Sequence, residues 1–287
     1  MIERIAPAKV NLALHVIGQR DDGYHLLDSL VVFTSIGDTI RIEKSRNTDA
    51  LIEVSANGPF SHFVPNGDGN LVKQVASRLY ETEKQAGRTP EPVSITLVKN
   101  LPVASGIGGG SADAAATLLG LKEFWGIQAD LKPIATAIGA DVAMCLHSRP
   151  LRAQGIGEII TPLSQDKPFN LVLVNPGVEV STPEVFNALA DKNNAPLAEV
   201  EIDRLPGIQG MTGMRNDLQN AALSIRPEIG NVLSSIGETD ALFARMSGSG
   251  ATCFGIYATF SEATAACADI GSRNPQWWCI ATRTTVS

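Results

Sequence analysis

The amino-acid sequence predicts an α+β protein with two domains. Strand patterns dominate the first third of the chain, and strand and helix patterns alternate after about residue 150. The chain has 287 residues, more than the roughly 100–200 residues of one typical domain. Hydrophobic residues make up 44% of the chain and charged residues 18%, so it can bury a substantial core. The change in pattern predicts a first domain at 1–152 and a second at 153–287.

Each element of the first half is predicted from a local pattern. In the segment 2–17, apolar residues alternate with polar or small ones from Val10 to Leu14. We therefore expect one or two strands there, with a break at residues 6–8. Apolar residues at helical spacing predict a helix at 70–86. The other elements expected here are strands at 29–34, 38–43, 50–55 and 93–98, a helix at 111–125, and a helix that Asp130 caps and Gly139 ends.

The second half contains shorter elements. The apolar runs at 151–160 and 169–177 have strand character, and a short helix with a polar connector fills 182–199. The remaining elements are expected as helices at 217–225, 228–236 and 260–270 and as strands at 242–246, 252–257 and 277–282. The alternation of helices and strands indicates a mixed second domain.

Net charge and the first residues exclude several kinds of partner. The formal net charge is −7 and no long basic run occurs, which argues against nucleic acid as the main partner. Glu3, Arg4 and Lys9 interrupt the apolar core that a signal peptide needs, and no apolar run approaches the ~18 residues of a membrane span. We therefore expect a cytoplasmic protein that does not act at a membrane.

The four cysteines are scattered along the chain and form no CxxC pair. Thiols in apolar segments of a chain of this size are typical of a reducing compartment, where cysteines behave as small buried hydrophobic residues. They are Cys145, Cys253, Cys267 and Cys279. We expect four buried thiols.

The most informative stretch is a glycine-rich loop within LPVASGIGGGSADAAATLLG at 101–120. Gly106 and the three glycines at 108–110 fall within five positions, and Ser111 stands where a helix N-cap belongs. Glycine lets the backbone adopt positive φ and approach a ligand closely, and a helix N-terminus attracts anions. The loop therefore predicts a phosphate site. The alternative, a tight strand–helix turn, does not explain four glycines in five positions.

Two common types of phosphate loop are excluded. A Walker A loop needs a lysine after its last glycine, but Ser111 follows Gly110 here. The dinucleotide fingerprint GxGxxG is only half matched, and its acidic partner about twenty positions on would be Asp130, which fits a helix cap better. The sequence therefore indicates a nucleotide loop of a third type.

Several polar residues outside the loop are candidates for chemistry, each with a simpler alternative. Lys9 and Asn11 project to one face of the first strand, although a lysine at a strand edge is commonly just solvated. Tyr24 and His25 end a polar turn, where packing is the alternative role. Asp141 begins an apolar segment and so is a candidate N-cap, whereas a lysine beside it would keep it ionised and fixed.

Two further loops have functional character. The segment 56–69 is long and rich in glycine, proline and asparagine. A second small-residue loop, Ser247–Ala251, leads from one predicted strand into another. It is not the hydrolase motif GxSxG, because position 247 is serine and a strand rather than a helix follows.

Three motifs in this order resemble the signatures of the GHMP kinases, a family that includes galactose, homoserine, mevalonate and phosphomevalonate kinases. The motifs are PAKVNLALHVIGQRDDGYH at 7–25, LPVASGIGGGSADAA at 101–115 and MSGSGATCFGIY at 246–257. The RDDGYH extension, together with IGADVAMCL and NPGVEVSTPEVF, is similar to the branch of the family that phosphorylates a cytidine-diphosphate sugar alcohol. The resemblance covers nearly the whole chain.

This resemblance implies a fold and a reaction. The fold is the two-domain GHMP-kinase fold, with a β-rich N-terminal nucleotide-binding domain and an α/β-sandwich, ferredoxin-like C-terminal domain. The reaction is ATP-dependent phosphorylation of the 2-hydroxyl of a cytidine-diphosphate sugar alcohol in the non-mevalonate isoprenoid pathway. The resemblance implies ATP and Mg²⁺ as cofactors and a monomer or a homodimer as the working state.

The resemblance also implies roles for individual residues. Lys9 and Asp141 are the implied catalytic pair, with Asp141 as the general base. Ser111 is an implied Mg²⁺ contact, with a simple helix cap as the alternative. The implied ATP-binding residues are Pro102, Val103, Ala104, Ser105, Gly106, Ile107, Gly108, Gly109, Gly110, Ser111, Ala112, Lys99 and Asn66. The implied substrate-binding residues are Asn11, Tyr24, His25, Thr182, Gly248 and Ser249, with Tyr24 stacking on cytosine and His25 bonding to its edge.

Three other functions fit less well. The substrate of a mevalonate or homoserine kinase has no nucleobase that could stack on the RDDGYH element. A dinucleotide-dependent oxidoreductase needs βαβ repeats from the first residues, which the β-rich start lacks. A non-catalytic nucleotide-binding regulator keeps the glycine loop but has no need of both Lys9 and Asp141.

Overall fold

The computed structural model describes residues 1–47, 50–197 and 204–286. These residues group into two compact units. The first unit comprises Met1–Ala8, Ile36–Val103 and Gly109–His147, and the second comprises Lys9–Ser35, Ala104–Gly108 and Ser148–Ser287. Each unit is built from three separate segments of the chain. The predicted domains 1–152 and 153–287 are continuous segments, and the boundary between them stays a prediction.

Ten strands and nine α-helices occur in the described residues. The strands are β1 Ile2–Gln19, β2 His25–Lys44, β3 Ile52–Asn57, β4 Val93–Val98, β5 Leu151–Gly155, β6 Ile159–Pro162, β7 Asn170–Asn175, β8 Phe243–Met246, β9 Cys253–Tyr257 and β10 Trp278–Arg283. The helices are α1 Leu71–Gln85, α2 Gly109–Phe124, α3 Lys132–Ile138, α4 Ala140–Cys145, α5 Thr182–Asn187, α6 Ile208–Met211, α7 Gln219–Ile225, α8 Glu228–Gly237 and α9 Phe260–Arg273. The predicted α+β class is confirmed.

The first unit packs helices on a small mixed sheet. The second half of β2 pairs antiparallel with β4, and β3 pairs parallel with β4. A parallel pair needs a crossover, and α1 provides it between β3 and β4. Alternate residues of β4 are buried, and α1 buries Val75 and Leu79 on one face. Asn70 starts α1 because its side-chain oxygen accepts hydrogen bonds from the N–H groups of Val72 and Lys73.

The second unit contains an antiparallel sheet of four strands in the order β10-β7-β9-β8. Helices α7 and α8 lie between β7 and β8 in the chain, and α9 lies between β9 and β10, which gives the ferredoxin-like βαββαβ arrangement. Val172, Val174, Val232, Ile236 and Ile270 are buried in its core. The first half of β2 pairs with β5, and β5 pairs with β6.

Of the two alternatives for 2–17 the structure has one strand, and the gap predicted between 34 and 38 is wrong. β1 runs without interruption past residues 6–8, and β2 joins the strands expected at 29–34 and 38–43. The reason is a close approach of two backbones. A Cβ added at Gly37 would lie 2.1 Å from the carbonyl oxygen of Ala6, so glycine is required there for contact rather than for a turn.

The helix after the glycine loop also begins earlier than predicted. α2 starts at Gly109, so Ser111 lies in its first turn and is not the N-cap. A Cβ added at Gly109 would lie 2.9 Å from the Nζ of Lys99, so this first residue packs closely against the lysine. The predicted cap at Asp130 is one residue away from the observed N-cap of α3, which is Leu131, although the Oδ1 of Asp130 accepts a hydrogen bond from the N–H of Lys132 at 3.0 Å.

Among the described helices, none combines the length and the apolar character that a bilayer span requires.

Candidate active site

The first half of the glycine loop is held against the Ser247–Ala251 loop inside the second unit. Ser247 Oγ donates to the carbonyl oxygen of Gly106 at 3.0 Å, and the N–H of Thr252 donates to the carbonyl oxygen of Ser105 at 3.1 Å. Gly106 has φ 76°, and a Cβ there would lie 2.3 Å from the carbonyl oxygen of Ser247. Two predicted motifs that lie about 140 residues apart are therefore in direct contact.

A network of uncharged polar groups positions Lys9 in the same unit. Lys9 Nζ donates to the Oδ1 of Asn11 at 3.0 Å, and Asn11 Nδ2 donates to the Oγ of Ser29 at 2.8 Å. The backbone N–H of Asn11 donates to the Oγ of Ser247 at 3.1 Å. Since all four side chains are buried, these bonds fix which way the Asn11 amide faces and turn its oxygen toward Lys9.

Lys9 also contacts the glycine loop directly. Its backbone N–H donates to the carbonyl oxygen of Ile107 at 2.9 Å. Gly108 has φ 66°, and a Cβ there would lie 2.7 Å from the Cγ of Lys9. The structure thus brings together the predicted residues Lys9, Asn11, Gly106, Ile107 and Gly108.

The predicted substrate residues of the Ser247–Ala251 loop are buried. Gly248 lies against the carbonyl oxygen of Gly106, which a Cβ at Gly248 would approach to 2.8 Å. The hydroxyls of Ser249 and Thr182 are 2.8 Å apart and share a hydrogen bond. Asn216 Nδ2 donates to the carbonyl oxygens of Met246 and Gly248 at 2.8 Å each, which secures the loop from its other side.

The predicted base-binding residues differ in their surroundings. Tyr24 is 61% exposed, whereas His25 stacks on Phe186 with ring centroids 4.7 Å apart and planes inclined by 24°. Burial, and then the charge of Lys192, lower the pKa of His25, so its imidazole is neutral at pH 7. Among the described residues, the His25 Nε2 is buried and has no hydrogen-bond partner. It is therefore ready to bond to a ligand.

The first unit contains a cluster of charged side chains next to the start of α2. Lys99 Nζ donates to the Oδ2 of Asp113 at 2.8 Å and to the Oδ2 of Asp38. The Oδ1 of Asp38 accepts from the N–H groups of Asn100 and Leu101. Lys99, Asp38 and Asp113 are nearly inaccessible to solvent. The cluster connects the end of β4 to α2 through Asp113.

Burial governs the protonation of this cluster. Desolvation, reinforced by the charge of Asp38, raises the pKa of Asp113 to about 8 despite the lysine. Burial alone would lower the pKa of Lys99, but Asp113 and Asp38 raise it above its ordinary value. One lysine and two carboxylates carry a net charge of −1, and a proton on Asp113 makes the cluster neutral. The neutral state is the favoured one in a dry interior.

The remaining predicted residues lie in several elements. Asp141 is half-buried in the first turn of α4, and Ser111 and Ala112 lie in the first turn of α2. Pro102 and Val103 lead into the loop, where Ala104 has φ 49°. Asn66 is exposed and precedes the short 3-10 helix Gly67–Gly69. The roles assigned to these residues, and the pairing of Lys9 with Asp141, stay predictions.

No cluster of three or more His, Cys, Asp or Glu side chains able to hold a metal occurs among the described residues. A Mg²⁺ ion that arrives with ATP needs only one or two protein oxygens, because phosphates and water complete its shell. The Ser111 hydroxyl and the half-buried Asp141 carboxylate are oxygen donors of the suitable type.

Sequence reasoning missed several residues that shape this region. Ser29 stands in an apolar strand and gave no signal, and Asp38 was assigned only to a strand. Asp113 and Ser247 lie inside recognised motifs but had no predicted role. Phe186 lies in the NPGVEVSTPEVF motif, and its aromatic character was the available signal for the contact with His25.

Family models match both halves of the chain. The GHMP kinases N terminal domain matches residues 70–149, and the GHMP kinases C terminal domain matches residues 206–276. The chain is 48% identical over 291 residues to a 4-diphosphocytidyl-2-C-methyl-D-erythritol kinase of Chelativorans sp. (strain BNC1), covering 100% of this chain and 97% of that protein. It is 47% identical over 287 residues to the kinase of the same name from Mesorhizobium japonicum, covering 98% and 95%.

Solved structures agree with these sequence matches. A crystal structure of 4-(cytidine 5'-diphospho)-2C-methyl-D-erythritol kinase superposes with a TM-score of 0.82 at 32% identity, covering 99% of this chain and 100% of that one. Homoserine kinase from Cytophaga hutchinsonii has a TM-score of 0.72 at 17% identity, covering 99% and 94%, which shows a shared fold. The two-domain GHMP-kinase fold is thus confirmed, and the chain belongs to the 4-diphosphocytidyl-2-C-methyl-D-erythritol kinase family.

Proposed function

We propose that this chain is an ATP-dependent kinase that phosphorylates the 2-hydroxyl of 4-diphosphocytidyl-2-C-methyl-D-erythritol in the non-mevalonate pathway to isoprenoid precursors. The observation that carries the proposal is the contact of Lys9 with the glycine loop in the second unit, together with the hydrogen bond from Lys9 to Asn11. A lysine beside a phosphate-type loop, with an amide bonded to it, favours a site for phosphoryl transfer over a purely structural turn. The family relationship supports the same reaction.

The proposed ATP site uses the glycine loop and the start of α2. Residues 102–112 surround the phosphates, and the N–H groups at the start of this 16-residue helix supply positive dipole charge. Asn66 belongs to the adenosine side in this proposal. Lys99 is assigned to the same side, but its burial and its two carboxylate partners favour an effect exerted through Gly109.

The proposed chemistry is direct transfer between two oxygens. The 2-hydroxyl oxygen of the acceptor forms a bond to the γ-phosphorus, the bond from that phosphorus to the bridging oxygen breaks, and ADP leaves. Asp141 accepts the hydroxyl proton, and Lys9 orients Asp141 and offsets negative charge that develops in the transition state. Asn11 holds Lys9 through the 3.0 Å hydrogen bond between Lys9 Nζ and Asn11 Oδ1. Because the transition state of such a reaction is loose, catalysis depends mainly on the positions of the reacting groups and on neutralising their charge.

Mg²⁺ is part of the proposal as the partner of ATP. It neutralises phosphate charge when it is bound. Ser111 is the proposed protein contact, and the Asp141 carboxylate is a second oxygen donor of the suitable type. The protein side chains then act on the acceptor and on its proton.

The proposed cytosine pocket is built around His25. The neutral imidazole offers its unpartnered Nε2 to the polar edge of the base, and Phe186 supports the ring from one side. Tyr24 is exposed and so is available to stack on the base. Thr182, Gly248 and Ser249 are proposed to border the remainder of the acceptor.

The proposal extends to location and assembly. We infer a cytoplasmic enzyme that acts on two dissolved small molecules. All proposed site residues come from one chain, so a monomer and a homodimer serve equally well.

The decisive experiment incubates the protein with ATP, Mg²⁺ and one acceptor at a time. The acceptors are 4-diphosphocytidyl-2-C-methyl-D-erythritol, mevalonate and homoserine, and mass spectrometry detects the gain of one phosphoryl group. We expect the gain only with the cytidylylated acceptor. Phosphorylation of mevalonate or homoserine at a comparable rate would reassign the acceptor, and ATP binding without any transfer would favour a regulator.

A further inference from the structure

The second unit contains a pair of cysteines that the proposed kinase reaction does not use. Cys267 lies on α9 and Cys279 on β10, and their Sγ atoms are 3.2 Å apart. The Sγ of Cys279 is also 3.5 Å from the carbonyl oxygen of Cys267. Both thiols are half-buried, whereas Cys145 and Cys253 are fully buried. Only this pair combines contact with partial access to solvent among the described cysteines.

The two thiols differ in acidity because one donates to the other. The S–H of Cys279 donates to the sulfur of Cys267, and this bond, assisted by the backbone at Ala281, lowers the pKa of Cys267 to about 7. The same bond and burial raise the pKa of Cys279. Burial also raises the pKa of Cys253. Because the thiolate is the reactive form, Cys267 is the nucleophile of the pair and Cys279 its neighbouring thiol.

The surroundings favour thiol–disulfide chemistry over metal binding. A structural zinc site needs four ligands, and no third His, Cys, Asp or Glu completes such a group among the described residues. A disulfide needs only the two sulfurs, which would have to approach from 3.2 Å to about 2.05 Å. A low thiol pKa and a thiol already in contact are the features of a reactive pair.

We propose that Cys267 and Cys279 form a reversible disulfide modification site that reacts with small disulfides of the glutathione type. The Cys267 thiolate attacks one sulfur of the oxidised small disulfide, forms a mixed disulfide and releases one small thiolate. Cys279 then loses its proton to solvent, attacks the Cys267 sulfur, and expels the second small thiolate. The cysteine pair loses two electrons and two protons, and the small disulfide is reduced to two thiols.

The bond would join α9 to β10, a strand at the edge of the four-stranded sheet. The two cysteines are twelve positions apart, so the closed loop is short. Since neither residue contacts the Lys9 and Asn11 network in the described structure, the expected consequence is a more stable second unit.

The test exposes the full chain to mixtures of oxidised and reduced glutathione at several ratios. Free thiols are then blocked by alkylation, and the intact protein and its peptides are weighed by mass spectrometry. We expect loss of two hydrogens and a peptide pair linked through Cys267 and Cys279. The Cys279→Ser variant should instead stop at one glutathione on Cys267. The rate at which Cys267 reacts with oxidised glutathione should rise as the pH increases through 7. Cys145→Ser is the matched control, with wild-type behaviour expected.

The outcomes separate the proposal from its alternatives. Recovery of the free-thiol mass after treatment with reduced glutathione supports reversibility. Unchanged mass in oxidised glutathione overturns the proposal, as does a linked peptide that contains Cys145 or Cys253. A Cys279→Ser protein that gains no glutathione also overturns it, provided that circular dichroism shows the wild-type spectrum. The test does not depend on kinase activity, so its failure leaves the proposed function standing.

Discussion

Two buried lysines each lie against a glycine of the glycine-rich motif, and the carboxylates described beside one of them indicate its role. Lys9 packs against Gly108 and donates to the amide oxygen of Asn11. Lys99 packs against Gly109 and donates to the carboxylates of Asp38 and Asp113. Their exposed fractions are similar, 6% for Lys9 and 3% for Lys99. Burial alone therefore does not distinguish the lysine that supports the loop from the one proposed to act on a ligand.

The two carboxylates that accept hydrogen bonds from Lys99 give the evidence for its role. The carboxylates around Lys99 need its charge, because two buried acids without a cation are costly. The amide beside Lys9 carries no charge and is itself oriented by Ser29, so it sets the position of the ammonium group. We infer that Lys99 serves stability and Lys9 serves chemistry. The same substitution at both positions tests this inference.

The largest effect is expected for Lys99→Met. Removing the cation strands Asp38 among buried groups, and breaking such a pair costs about 3–5 kcal/mol. We expect the thermal midpoint measured by circular dichroism to fall by roughly 10 °C. Lys99→Arg, which keeps the charge, should recover part of the loss. A Lys99→Met midpoint within a degree or two of wild type would contradict a structural role for the cluster.

The next effect concerns catalysis at Lys9. Lys9→Met removes the proposed charge stabilisation and should lower kcat by at least about 10²-fold, with little change in KM for ATP. Its thermal midpoint should fall less than that of Lys99→Met, which makes the two variants controls for each other. Steady-state kinetics with the cytidylylated acceptor measures the effect. Near wild-type turnover would remove Lys9 from the proposed mechanism.

The third effect is a pH dependence of stability that arises in the charged cluster. The pKa of Asp113 is about 8 when folded and about 3.9 in an unfolded chain, so the folded state binds the extra proton between these values. Stability from this group therefore rises as pH falls from 9 to 6, by on the order of 2 kcal/mol. We expect Asp113→Asn, which cannot titrate, to lose this part of the rise.

The measurement for this third prediction is the thermal midpoint of wild type and Asp113→Asn across the same pH range. Other groups titrate in both proteins, so only the difference between the two curves reports on Asp113. Parallel curves would mean that Asp113 is ionised throughout, and the cluster would then carry its net charge of −1.

The elements that could be predicted from the sequence are those with local causes. The helix at 260–270 was expected, and α9 begins with a capping box between Thr259 and Glu262. The break expected between residues 34 and 38 was wrong, because Gly37 lies inside β2 and contacts Ala6, thirty-one positions away. A close approach between distant segments has no local pattern in the sequence.

The same limit applies to the candidate site. The glycine loop and Lys9 could be identified because their motif is contiguous and chemically distinctive. The partners of Lys99 could not, because Asp38 lies 61 positions away and becomes a partner only through the pairing of β2 with β4. Ser29 was missed for the same reason, since its bond to Asn11 depends on the packing of two strands.

The smallest effect is expected for Ser29→Ala. Ser29 Oγ accepts from Asn11 Nδ2 at 2.8 Å and donates to the carbonyl oxygen of Ala13 at 2.6 Å. Its loss leaves the Asn11 amide less firmly oriented, at a cost of about 0.5–1.5 kcal/mol, or roughly 2–10-fold in kcat/KM for the acceptor. KM for ATP should not change.

Ser35→Ala is the matched control for this last prediction, because Ser35 lies on the same strand and shares a hydrogen bond with Thr282 rather than with Asn11. Ser29 is buried and Ser35 is exposed, and each variant loses one hydrogen-bonded hydroxyl of β2, so any general effect of removing a hydroxyl from this strand should appear in both. Only Ser29→Ala should lower kcat/KM, because only Ser29 holds the amide that positions Lys9. Equal values of kcat/KM in the two variants would show that the Asn11 network is not needed to hold Lys9. The evidence for different roles of the two lysines would then come only from Lys99.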